Sequence, residues 1–171
     1  MNNNRTIWLL FILTLVILGA IKIQGQPLVT PSAPKGILSL EFSANSTSTE
    51  AIRKEWSGSI REVFYLNMII DCFFLLLYGS FFYYASVRLA KQKYTPSKLG
   101  IGAAWAGLVA AGFDALENLL MILSISFGAR DTQSFITVIL ASVKFFLIAF
   151  SILYILFAVG KGLTKKIVSR S

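Results

Sequence analysis

The chain has 171 residues, 56% of them hydrophobic, and a formal charge of +8, with a mean hydropathy of +0.70. That is too apolar for a soluble domain of this size and fits an integral membrane protein. The absence of histidine excludes a Ser-His-Asp triad, an HExxH zinc site and an imidazole pH switch; the single cysteine, Cys72, excludes an internal disulfide and a thiolate zinc cluster.

Crossing about 30 Å of hydrocarbon takes roughly 20 apolar residues in a helix. Four stretches meet that requirement or nearly do, residues 7–21, 64–87, 99–124 and 134–159. They predict an all-α polytopic membrane protein, an antiparallel bundle of four transmembrane helices. Short basic loops stay on the cytoplasmic side. The segment between the second and third spans carries Arg88, Lys91, Lys93 and Lys98 without an acid, and the tail carries Lys161, Lys165, Lys166 and Arg170 without one. Residues 22–63 balance five basic against four acidic residues, and the last loop holds only Arg130 and Asp131. Both termini are therefore expected in the cytoplasm, and topology accounts for the charge without nucleic acid. The first span is expected to be an uncleaved anchor; the alternative is a signal peptide cleaved after Leu18-Gly19-Ala20.

Between the first two spans, Pro27, Pro31 and Pro34 predict an extended, solvated spacer. The run 37–42 is apolar enough to lie against the bundle or the headgroups. Thr47 and Glu50 have the spacing of a capping box opening a short amphipathic helix, which would rest on the outer face of the membrane or cap the bundle, with Trp56 at interface depth.

Several charges stand where a span should carry none: Asp71 in the second, Asp114 and Glu117 in the third, and Lys144 in the fourth. Each costs about 2.5 to 3.5 kcal/mol at membrane depth on insertion scales, so they must meet one another or water. At about 1.5 Å per residue, Asp71, Asp114 and Lys144 fall about 4 to 7 Å to the outer side of the midplane, with Glu117 slightly further out. Residues three, four and seven apart share a helix face. Asp114, Glu117 and Asn118 thus continue a stripe of small residues through Ala111, Gly107 and Ala103. Asn67, Asp71 and Tyr78 share a second face, and Thr137, Ala141, Lys144 and Ser151 a third. The expectation is one polar chamber, with Lys144 paired to Asp114 or Asp71 and the surplus acid protonated or facing a cation. Asn118, Tyr78 and Asn67 support it. A purely structural bridge would need one acid; the surplus of two points to a site.

The order of Leu40-Glu41-Phe42, Trp56, Asp71 with Tyr78, Asp114-Ala115-Leu116-Glu117-Asn118 and Lys144 resembles a group of small four-helix bacterial inner-membrane proteins with no assigned activity. In architecture alone, a two-carboxylate pocket within four helices is similar to sterol-isomerase-like emopamil-binding proteins. Three functions follow. In the first, the cluster binds or acts on a lipid-like ligand, with Lys144 holding an anionic or carbonyl group and Asp114, Glu117 or Asp71 moving protons. In the second, the chain is an accessory subunit whose charges match a membrane-protein partner or a second copy. In the third, it couples transport to protons or cations, a reading weakened by the lack of a polar relay between Gly100 and Ala111. No cofactor or metal is implied, and binding and catalysis both stay open.

Overall fold

A computed structural model describes residues 3–92 and 95–168, with the side chains of 4–92 and 95–165. Of the residues used for topology, Lys93, Arg170 and the side chain of Lys166 lie outside this description. Six α-helices follow in order: α1 (Asn3–Gln24), α2 (Ile37–Glu41), α3 (Ser46–Glu55), α4 (Ser59–Ala90), α5 (Ser97–Phe127) and α6 (Asp131–Val168). A short 3₁₀ turn at Gln26–Leu28 follows α1, and the described residues contain no strand. α1, α4, α5 and α6 are long and apolar enough to cross a membrane. Each extends a few residues beyond its apolar run, because helix continues into the polar ends where backbone groups still find partners.

α5 packs extensively on α4 and on α6, and α4 also meets α6. Small residues set the spacing. A methyl group added to Gly107 would run into the Phe82 side chain, and one added to Gly79 would stand 3.0 Å from Ala111 Cβ. Without hydrophobic drive between helices in lipid, this close backbone approach supplies the van der Waals contact that holds them. Between α4 and α5 the contacts run Tyr65 to Ser126, Tyr78 to Asp114 and Gly79 to Ala111. Rising numbers on one helix meet falling numbers on the other.

α1 is a peripheral helix whose packing is mostly on α4, and its apolar window is not buried. It is fastened at one end by Asn67, which donates to Ile21 O at 3.1 Å and to Gln24 Oε1 at 2.6 Å, and by Gln24 donating to Val63 O at 2.9 Å. Further along, the Phe11 and Phe81 rings meet at 5.3 Å.

The segment between α1 and α4 departs from the expected solvated spacer. It folds into a cap over one end of the helices. Leu28 and Ala33 are fully buried, and Thr30 and Ala33 exchange backbone hydrogen bonds in a tight turn. Three prolines restrict φ without demanding extension, so they suit a compact turn equally well. Trp56 belongs to this cap: it is fully buried, donates its indole N–H to Leu28 O at 3.0 Å and packs on Phe64. With Ile52, Leu40, Met121 and Ile125 it makes a core continuous with α4 and α5. Gly36 and Gly58, at φ of 59° and 56° with ψ near −130°, turn the chain into α2 and α4 through backbone conformations that side chains oppose.

The cap of α3 also differs from the expected capping box. Asn45 is the N-cap, its side chain accepting from Ser48 N at 2.8 Å, and the helix begins at Ser46 rather than after Thr47. Asparagine is among the strongest N-cap residues. Glu50 instead reaches the turn between α5 and α6, where Oε1 accepts from Ala129 N at 2.8 Å and Oε2 meets Arg53 at 3.1 Å. Those bonds, the Ala129 N–H foremost, hold the Glu50 carboxyl below its ordinary range.

Candidate functional site: a buried lysine among carboxyls

Lys144 lies on the stripe of α6 that also buries Thr137, Ala141 and Ser151. A long helix in lipid turns its polar residues inward because exposure to hydrocarbon leaves them without partners. Across from it, α5 buries Asp114, Glu117 and Asn118. Lys144 Nζ stands 3.0 Å from Asp114 Oδ1 and 2.9 Å from Glu117 Oε2. Asp114 is gripped from both sides, since Tyr78 on α4 donates its hydroxyl to Oδ2 at 2.9 Å. The structure thus brings Asp114, Glu117, Lys144 and Tyr78 together.

A third carboxyl completes the group. Glu41, the last residue of α2, reaches down from the cap to within 3.4 Å of Lys144 Nζ and is itself buried. It was not among the residues assigned to the chamber from the spans. Burial pushes its carboxyl above the ordinary range, Lys144 opposing that shift and Asp114 adding to it. Lys144 also lies 4.8 Å from the ring centroid of Phe145, which in turn stacks on Phe42 beside Glu41.

The expected choice of Asp114 or Asp71 as the lysine's partner resolves in favour of Asp114. Asp71 forms no ion pair among the described residues; it accepts a hydrogen bond from Asn118 Nδ2. Asn67, expected to support the chamber, uses its amide nitrogen to hold α1. Cys72 faces outward.

Three carboxyls surround one ammonium, and Asp71 brings a fourth close by. Lysine has three N–H donors. Two satisfy hydrogen-bond geometry, towards Asp114 and Glu41. The contact to Glu117 has ion-pair distance but not hydrogen-bond angles, so neither oxygen of this fully buried carboxyl has a hydrogen-bond partner among the described residues. A buried oxygen in that state is costly unless it holds a proton or faces a further donor. No group of three His, Cys, Asp or Glu among the described residues is placed to hold a metal ion.

Beside the cluster opens a cleft of about 480 Å³ between α1, the cap, α4, α5 and α6. Glu41, Asp71, Asp114, Asn118 and Lys144 line its polar side. Leu18, Met68, Phe74 and Ile148 line its apolar side, with Lys22 and Lys35 also on its wall. A second groove, about 590 Å³ between Trp8, Phe11, Phe81 and Ile155, contains Arg88 but none of the carboxyls. Size favours the second; chemistry favours the first, where charge, hydrogen-bond acceptors and apolar wall meet. Family models, curated proteins and solved structures contain no match to the chain.

Proposed function

We propose that the chain is an antiparallel bundle of four membrane spans, with both termini in the cytoplasm, that binds a lipid-like ligand in the cleft beside Lys144. The opposed contact order of α4 and α5 supports the arrangement, as do Arg88, Lys91 and Lys98 at the end away from the cap. The resemblance to small bacterial proteins points to the inner membrane.

One observation carries the ligand reading: a single cleft joins an apolar wall on three spans to a buried set of carboxyls exceeding their cation. Ligand sites have this composition, mostly apolar with a few convergent polar groups. The ion pairs give the Lys144 ammonium an internal role. It fixes Asp114 and Glu41, while the cleft-lining carboxyls meet the ligand, and any proton transfer runs through them.

The test is whole-cell lipid mass spectrometry on a deletion strain complemented with the native chain, Asp114→Asn or Lys144→Met at matched membrane abundance. A lipid class that changes on deletion and returns only with the native chain is the expected result. Coincident profiles would remove the lipid reading and favour a role as an accessory subunit.

A further inference from the structure

We infer that the cleft selects a zwitterionic aminophospholipid, taking a primary ammonium group at Asp71 and a phosphate at Lys22 and Lys35. This rests on the lipid-ligand reading above and adds the headgroup chemistry.

The donors and acceptors around Asp71 carry the argument. Asp71 lines the cleft and has no basic partner among the described residues. Two amides beside it also line the cleft, and both spend their nitrogen elsewhere. Asn118 donates to Asp71, and Asn67 donates to Ile21 and Gln24. Each amide therefore keeps its carbonyl oxygen to accept. One carboxylate and two amide oxygens make a set of acceptors. Lys144, the nearby donor, is already committed to Glu41, Asp114 and Glu117. A group with three N–H donors and a positive charge satisfies this set and offsets the acidic surplus. A quaternary ammonium offers charge but no N–H.

The position of the lysines supplies the second half. The Asn67 bond to Ile21 sets the neighbouring Lys22 level with Asn67, four residues along α4 from Asp71. That is about 6 Å along the axis. Lys35 lines the same cleft from the cap. An isolated cation would be repelled by these two ammonium groups; a molecule with an anionic group one short spacer from its amine is attracted at both points. From a phosphate at this level, the amine arm turns in towards Asp71. The apolar wall continues past Asp71 in the same direction, away from the cap, along Leu18, Phe74 and Ile148, and the acyl chains lie against it beside the amine arm.

The experiment is native mass spectrometry of the purified full chain in detergent, titrated separately with phosphatidylethanolamine, phosphatidylcholine and phosphatidylglycerol of identical acyl chains. Phosphatidylethanolamine is expected to bind about tenfold or more tightly than either, the value of one charge-assisted hydrogen-bonded contact. Asp71→Asn should reduce it to the level of phosphatidylcholine, and Lys22→Met with Lys35→Met should weaken all three lipids. Equal binding of the three lipids by the native chain would overturn the amine assignment while leaving a lipid site. Binding of none would overturn the lipid reading itself. The comparison on the native chain decides the matter even if Asp71→Asn fails to fold, which size-exclusion chromatography reports.

Discussion

Replacing Lys144 by methionine keeps most of the aliphatic stem and deletes the charge, which makes it the most informative single perturbation of this fold. Glu41, Asp114 and Glu117 then lose a cation that stands 3.4, 3.0 and 2.9 Å away. None of the three has another basic partner among the described residues. Removing one partner of a buried ion pair costs about 3 to 5 kcal/mol, because the charge left behind is desolvated and uncompensated. For a chain of 150 to 250 residues, 1 kcal/mol moves the melting temperature by about 2 to 4 °C. Lys144→Met should therefore lower it by about 6 to 20 °C. Glu41→Gln is the contrasting change. It leaves two carboxyls on the lysine and relieves part of the negative surplus, so its cost is about 1 kcal/mol, that of one net hydrogen bond. Adding Asp114→Asn to Lys144→Met should recover part of the loss by removing one orphaned charge. Thermal unfolding in detergent, followed by circular dichroism, measures all four chains. A fall below about 3 °C for Lys144→Met, or an equal fall for Glu41→Gln, would refute the idea that one ammonium compensates three acids.

Gly107→Ala places a methyl group against Phe82, and overpacking of this kind costs about 1 to 3 kcal/mol. Gly102→Ala meets open space, and its melting temperature in the same detergent should match the native chain within about 2 °C, the equivalent of about 0.5 kcal/mol. Glu41 contributes a slope in pH. Its carboxyl titrates higher in the folded chain than in the unfolded one. As pH rises through the ordinary carboxyl range, the unfolded chain loses this proton first. Stability from this group is complete below that range and falls until the folded value is passed. Unfolding measured across pH should be flatter in Glu41→Gln than in the native chain, and an unchanged slope would reject the assignment.

The span helices and the inward charges were legible because lipid leaves few alternatives. A long apolar run must be a helix, and an acid inside it must turn inward. Spacing alone therefore put Asp114, Glu117 and Asn118 on one face. Glu41 escaped for the same reason in reverse. Five residues of α2 give no useful period, and an acid between spans counts as an ordinary loop charge. Its place depends on the chain turning at Gly36 and folding back. Trp56 and Asn67 show a similar limit. Local spacing gives Trp56 only a depth near the interface; its carbonyl partner and packed surface come from the turn at Leu28, which the spacing does not reveal. Asn67 shares a face with Asp71, but a peripheral helix competes for its amide.

The cap is tied to parts of the chain synthesised long after it. Glu41 meets Lys144 across 103 residues, Thr49 meets Ser134 across 85, and Glu50 meets Ala129 across 79. In the four-span arrangement proposed above, the segment emerges during synthesis with its partners still absent, and it stays on its side of the membrane without its final contacts until α6 arrives. Lys144 faces the complementary problem: its helix is inserted with a charge that becomes cheap to bury only once the acids of α5 and α2 are gathered around it. The last span is thus the closing step of biogenesis. A nascent chain stalled before Lys144 should carry a segment between α1 and α4 that is more protease-sensitive than in the complete chain, since its core on α4 and α5 forms while its bonds to the final helix are missing.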